Sequence, residues 1–283
     1  MYRVYSESMQ LTQALESRKD LIERYFVEKM SALHDPTISA LSEAIAYSLS
    51  GGKRVRGFLV MEGAKIGGLK PEDVLPTAAA VEAFHAYSLV HDDLPSMDDA
   101  SERRGRSTTH VQYDEATAVL VGDSLIPLGF RWICQEQAQG FRSESILQVM
   151  QVFSSVLGAD FLTGGQHLDL KGATSKRDHW EIMRRKTAGL IQSSLVAGAI
   201  LAEIDEAELR LLGEFGERLG LAYQLVDDLL DWEDDGYGEL MGIEEVRYAA
   251  RKLTREAVEL LDVLGERADI LRELTEYLAE RTT

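Results

Sequence analysis

The stretch PTAAAVEAFHAYSLVHDDLPSMDD, residues 76–99, reads as a helix that stays apolar almost to its end and then delivers four carboxylates, Asp92, Asp93, Asp98 and Asp99, around Pro95. Carboxylates crowded this closely repel one another and cost stability unless cations hold them. A second stretch, QLVDDLLD at 224–231, is built the same way far off in sequence. Helical geometry puts Gln224, Asp228 and Asp231 near one line, with Asp227 and Asp231 one turn apart, while Leu221, Leu225 and Leu229 form a different stripe. One face packs, and the other offers oxygen atoms suited to a hard ion such as Mg2+, which keeps several waters and favours phosphate co-ligands. A solvated acidic helix end would show the same residues. Two such clusters on separate apolar helices nevertheless suggest one cavity shared by divalent metal.

The spacing of Asp92 and Asp98 excludes an EF-hand, whose ligands alternate around a central glycine. Zinc would want His or Cys, and His85 and His91, six apart, do not share a helix face. Outward from these clusters, helical spacing of apolar residues recurs over 11–30, 37–49, 57–66, 115–137, 144–162, 176–202, 206–230, 243–264 and 270–281. Long alternating strands are absent and the linkers are short. The expected fold is therefore all-α, a single-domain bundle of about ten or more helices over residues 1–283.

Composition excludes several function classes. The formal charge of −18 opposes general affinity for nucleic acid or for anionic membrane surfaces, so anionic substrates need a local basic set or bound metal. With 45% hydrophobic residues and no run read as long enough to cross a bilayer, no stable membrane insertion is expected. The start of the chain is polar and charged, without an apolar leader pattern, and a cytoplasmic protein is expected. Cys134, the one cysteine, sits in an apolar run and reads as buried filler, and the eight methionines read as core filler.

Basic residues cluster twice. Gly51-Gly52-Lys53-Arg54-Val55-Arg56-Gly57 is a glycine-flexed loop leading into a helix, where cations and backbone N–H groups can hold a phosphate together. Arg103-Arg104-Gly105-Arg106 follows the first aspartates. Each is an anion site or an ordinary surface loop.

Taken in order, Gly-Gly-Lys-Arg-Val-Arg at 51–56, His85 and Ser88–His91 leading into Asp92-Asp93-x4-Asp98, Arg103-Arg104-Gly105, Gly165-Gln166-His167-Leu168-Asp169, Lys186-Thr187, and Gln224 before Asp227-Asp228-x2-Asp231 resemble the trans-prenyltransferase family, the polyprenyl diphosphate synthases. The resemblance covers nearly the whole chain. It implies the isoprenoid synthase fold, a helix bundle around a central cavity. There, Asp92, Asp93, Asp98, Asp227, Asp228 and Asp231 would bind an allylic diphosphate through Mg2+. Isopentenyl diphosphate would bind beside it. By position, Lys53, Arg56, His85 and Arg104 are its implied diphosphate contacts, and Arg103, Lys186, Thr187 and Gln224 are those of the allylic side. Asp92, Asp93, Asp98, Lys186, Asp227 and Asp228 are the implied catalytic set. The family also implies a homodimer. Asp99, Arg54 and Arg106 read as solvated charges beside the working ones, while Gln166 and Asp169 either orient Lys186 or bridge helices.

Two departures stand out. Relatives carry a glycine- and lysine-bearing loop after the second aspartate motif, whereas here no lysine occurs between Lys186 and Lys252. Gly57 stands where the family commonly has proline, which would loosen that loop. The expected activity is head-to-tail condensation of isopentenyl diphosphate with dimethylallyl or geranyl diphosphate, giving farnesyl diphosphate. The alternatives are a noncatalytic or regulatory prenyl-diphosphate-binding subunit and a geranylgeranyl diphosphate synthase. A terpene cyclase is disfavoured, having no use for the Lys53, Arg56 and His85 set. Tyr87 and Ser88, five and four positions before Asp92, lie roughly 6–8 Å below the metals and are the expected chain-length determinants, Tyr87 as a floor.

Overall fold

Helix α4 (Leu75–Asp92) is apolar on nearly every side, with Pro76 in its first turn, and residues 76–84 are all buried. A helix without a polar face belongs in the middle of a bundle. The other helices are arranged around it. The structure, a computed structural model, describes residues 9–33, 35–230, 232 and 240–279. The order is α1 (Met9–Ala32), α2 (Ser39–Leu49), α3 (Val55–Ile66), α4, the single turn α5 (Thr109–Gln112), α6 (Glu115–Cys134), α7 (Ser143–Leu157), α8 (Leu162–Lys171), α9 (Lys176–Ile182), α10 (Gly189–Leu201), α11 (Glu206–Leu230), α12 (Ile243–Leu260) and α13 (Asp269–Ala279). Among the described residues the strands are only β1 (Glu102–Arg103) and β2 (Arg106–Ser107), an antiparallel pair.

Helix α4 packs on α6, α3, α1 and α2, while α10 packs on α3, α11 and α7. The crossing of α3 and α10 depends on glycine. A Cβ at Gly198 would lie 1.9 Å from the Val60 carbonyl oxygen, and one at Gly63 would lie 2.2 Å from that of Leu195. Backbone meets backbone there, which places the segment preceding α10 opposite α4.

Several sequence expectations change. The stretch 144–162 is two helices, α7 and α8, because α7 ends at Gly158 and the chain turns before Leu162. The stretch 176–202 is α9, a π-helical segment (Met183–Ala188) and α10. Cys134 is exposed at the last turn of α6 rather than buried. Two stretches, Glu115–Gln139 and Ser143–Lys171, do have the length and apolar composition to cross a bilayer. Packing accounts for part of that composition, with 39% of the first apolar window and 33% of the second buried. Val121, Leu125 and Trp132 of α6 are buried in the core shared with α4, and the turn after α7 leaves it 15 residues. At ~1.5 Å per residue that is short of the ~30 Å hydrocarbon core.

Gly57 lies inside α3, not in a loop. Its N–H donates to Glu82 Oε1 at 2.8 Å, and a Cβ there would come within 2.9 Å of the Ala78 carbonyl oxygen. A proline would lose that bond, so this departure tightens the α3–α4 contact instead of loosening it.

Candidate active site

Residues i, i+3, i+4 and i+7 of a helix share a face. On α4 these are His85, Ser88, Leu89 and Asp92, and all four line a cavity of about 650 Å3. Lys186 and Thr187 of the π segment and Gln224 and Asp227 of α11 form a facing wall, with Leu162, Leu190 and Ile191 as apolar lining. Six basic side chains line it against three acidic ones, a local reversal of the chain's net charge.

The two basic loops meet. Gly52, at φ +94°, leaves room for the Arg104 guanidinium, since a Cβ there would fall 2.5 Å from Arg104 Nη1. Arg104 Nη2 lies 3.5 Å from His85 Nε2. Arg54 and Arg104 both adopt left-handed backbone, at φ 56° each, a conformation that costs about 1–2 kcal/mol for a residue with a Cβ. Arg54 is not a solvated charge. It is 5% exposed and pairs with Glu23 at 2.7 Å and Glu82 at 3.6 Å, and its guanidinium lies over Phe26, so it shapes the loop that presents Lys53 and Arg56. Arg106 is likewise engaged, stacked 4.1 Å from the Tyr47 ring centroid and donating to Ser50 Oγ.

Burial lowers the pKa of Arg56, and its Nε is buried without a hydrogen-bond partner among the described residues. An unpartnered buried donor calls for an acceptor. Burial first, and then the guanidinium groups of Arg56 and Arg104, push His85 well below 6.5. His85 is therefore neutral at physiological pH and can donate one N–H to an anion without adding charge.

Asp92 and Asp98 are six apart in sequence, but the Pro95 turn closes with Asp98 N donating to the Asp92 carbonyl oxygen at 2.9 Å. The Asp92 carboxyl is raised to about 6, chiefly by burial, with Lys186 opposing the shift and Asp98 adding to it. Asp93 is turned inward. It is 4% exposed, and Arg103 Nε and Nη2 hold its Oδ1 at 2.7 and 2.6 Å. In the second cluster Asp227 lines the cavity, whereas Asp228 is 3% exposed and both of its oxygens are engaged, by His179 Nε2 at 3.1 Å and Gln224 Nε2 at 2.9 Å. Asp93 and Asp228, expected as metal ligands, thus point into the protein. Asp231 lies outside the described residues.

Lys186 donates to Asp169 Oδ2 at 2.5 Å, so Asp169 orients it. Gly165 permits this contact, because a Cβ there would lie 2.5 Å from Lys186 N. Gln166 does not share the task; it is buried, and both amide atoms lack a partner among the described residues. Thr187 Oγ1 donates to Gln224 Oε1 at 2.7 Å. Ser88 lines the cavity, but Tyr87 does not: one step around the helix, it packs edge-on to His91 with ring centroids 6.0 Å apart and interacts with Thr163 of α8. Sequence reasoning passed over Glu23, Glu82 and His179. Of these, only His179 left a trace, standing with Ile182 and Met183 on one apolar stripe.

The profile described as Polyprenyl synthetase matches residues 38–240. The chain belongs to the polyprenyl synthetase family. It is 33% identical to the farnesyl diphosphate synthase of Bacillus subtilis (strain 168), covering 96% of this chain and 98% of that protein. It is 35% identical to the chloroplastic geranylgeranyl pyrophosphate synthase of Capsicum annuum, over 95% of this chain and 76% of that one. Among solved structures, the apo form of an FPP/GFPP synthase from Zymomonas mobilis matches with a TM-score of 0.90 at 34% identity, covering 96% of this chain and 99% of that chain. Polyprenyl synthetases are head-to-tail trans-prenyltransferases that take isopentenyl and allylic diphosphates and use divalent metal ions.

The donor set fits such an ion. Among the described residues no three carboxylate, imidazole or thiol groups converge to cage one. Mg2+, however, is bound by one or two carboxylates plus substrate phosphates rather than by an all-protein cage. In this polyprenyl synthetase, Asp92 with Asp98 beside it and Asp227 offer that kind of incomplete shell around the cavity.

Proposed function

We propose that this protein is an active, Mg2+-dependent farnesyl diphosphate synthase, condensing isopentenyl diphosphate with dimethylallyl or geranyl diphosphate to a C15 product. One observation carries the reading: a single cavity holds two separate sets of anion-binding groups. His85 stands among Arg56 and Arg104, whereas Asp92, seven residues on and about 10 Å along the same helix, stands with Lys186. That spacing leaves room for two diphosphates.

Lys53, Arg56, Arg104 and neutral His85 hold the isopentenyl diphosphate. Lys186, fixed by Asp169, meets the negative charge that grows on the allylic diphosphate as its C–O bond breaks and both electrons leave with it. Bound Mg2+, held by Asp92, Asp98 and Asp227, would neutralise that same charge. The isopentenyl double bond attacks the allylic cation to form the new C–C bond, and loss of a proton to the released diphosphate restores an alkene. No side chain is assigned as the base. Leu162, Leu190 and Ile191 keep water from the cation, and fixed placement of the alkene supplies much of the remaining rate.

We read Tyr87 and Ser88 as the chain-length determinants, Ser88 on the cavity face of α4 and Tyr87 behind it, where its ring against α8 limits how far the product can descend. Tyr87→Ala is expected to move product toward C20 or longer, and an unchanged C15 distribution would place the floor elsewhere. The homodimer and a cytoplasmic location belong to the same proposal. Exposed Val119 and Leu120 on α6 and Leu147 on α7 support the first, and an exposed free Cys134 agrees with the reducing compartment of the second.

The deciding experiment incubates the purified protein with Mg2+, isopentenyl diphosphate and either primer, followed by chromatography of the dephosphorylated products. A C15 alcohol supports the reading, and C20 makes the protein a geranylgeranyl diphosphate synthase. Metal-dependent substrate binding without product would make it a noncatalytic subunit.

A further inference from the structure

Asp228 stands in the second aspartate cluster, yet its carboxylate is buried and occupied. An ionised carboxylate only accepts hydrogen bonds. Both neighbouring nitrogens must therefore donate: His179 Nε2–H to Oδ2 at 3.1 Å, and Gln224 Nε2–H to Oδ1 at 2.9 Å. With its nitrogen turned to Asp228, the Gln224 amide presents Oε1 to Thr187 Oγ1, which donates at 2.7 Å. The chain His179–Asp228–Gln224–Thr187 joins α9, α11 and the π segment, and its last two members line the cavity. His179 itself is 2% exposed and does not line it.

We infer that His179 is a positioning residue for the allylic site, fixing through Asp228 the orientation of the Gln224 amide and the Thr187 hydroxyl. The inference rests on the prenyltransferase reading of that site. Without a donor at 179, Oδ2 of Asp228 loses a partner in a place water does not reach, and the carboxylate turns to find another. Gln224 and Thr187 then lose their fixed geometry toward the diphosphate. The isopentenyl side, held by Lys53, Arg56, His85 and Arg104, shares no hydrogen bond with this chain among those described.

The test compares His179→Leu and His179→Phe, which remove the donor, with His179→Gln, whose amide reaches about as far as Nε2. Steady-state kinetics give KM for each substrate separately. Calorimetric titration with inorganic pyrophosphate and Mg2+ reads the same site without turnover. Loss of the donor is expected to raise allylic KM and weaken pyrophosphate binding by roughly tenfold or more, with isopentenyl KM unmoved and His179→Gln restoring most of the loss. A lowered melting temperature with unchanged allylic KM and pyrophosphate affinity would reduce His179 to packing and overturn the inference. An equal rise in both KM values would also overturn it. If wild type makes no prenyl product, the prenyltransferase reading fails, and the pyrophosphate titration still decides whether His179 acts on the site. If the Leu variant does not fold, the Phe variant carries the comparison.

Discussion

Glu136 follows α6 and is fully buried, with Oε1 accepting from the Thr77 N–H at 2.9 Å and from Thr77 Oγ1 at 2.6 Å, and with Oε2 unpartnered among the described residues. It caps the start of α4, the helix that carries His85 and Asp92. Burial pushes its carboxyl from 4.5 up to about 7 against the two Thr77 bonds, and Asp73 adds to the rise. The folded state therefore keeps its proton over a pH range where the unfolded chain has already released it. Stability is full below 4.5 and falls as pH rises through about 7. At about 1.4 kcal/mol per pH unit the loss amounts to roughly 3 kcal/mol in all, of which about 2 kcal/mol falls between pH 5.5 and 8. Glu136→Gln keeps an oxygen for both Thr77 donors and cannot ionise. Urea unfolding of both proteins at these two pH values, at one fixed protein concentration, is expected to show the variant gaining about 2 kcal/mol relative to wild type on going to pH 8. A difference flat to within about 0.5 kcal/mol would refute the reasoning, because it would mean that Glu136 ionises alike in both states.

Three further outcomes follow from the site. Gly52→Ala places a Cβ against the Arg104 guanidinium at a left-handed position, so isopentenyl KM is expected to rise roughly tenfold in initial-rate assays while allylic KM changes little. Asp169→Asn weakens the hold on Lys186 and is expected to lower kcat by roughly tenfold without loss of fold by circular dichroism, and an unchanged kcat would count against the orienting role. Because His85 is held neutral, any step in isopentenyl KM near pH 6.5 is expected to persist unchanged in His85→Gln; a step there that His85→Gln abolishes would show a titrating imidazole.

The all-α architecture was legible because α11 carries a 3.6-residue pattern over 25 residues and α4 is an apolar run too long for a strand, and the basic loops were legible because glycine brackets their cations. Breaks made by tertiary contact were not. The π segment stands inside a periodic apolar stretch, and nothing in local propensity marks it; the close approach of Gly165 to Lys186 N within it is a tertiary contact that no local pattern carries. Arg54 reads as a surface charge until Glu23 and Glu82 arrive from two other helices. The exposure of Cys134 depends on which face of the last turn of α6 remains uncovered, which apolar neighbours in sequence do not tell.

The two aspartate clusters show why counting carboxylates overstates a metal site. Adjacent helical residues point about 100° apart, and in each Asp-Asp pair only one member lines the cavity. Asp92 and Asp227 take the inner face, and Asp93 and Asp228 are left to the protein. A carboxylate buried in this way needs donors, and the fold supplies them: Arg103 for Asp93 and Gln224 for Asp228, both of which line the cavity, with the buried His179 as the second donor to Asp228. Asp169 does the same for Lys186. On the proposed function, the doublet in the sequence encodes one carboxylate for the substrate's counter-ion and one that aims a neighbouring donor. The proposal therefore has an acidic chain hold two polyanions, its inward acids fixing the cations and amides that would receive them.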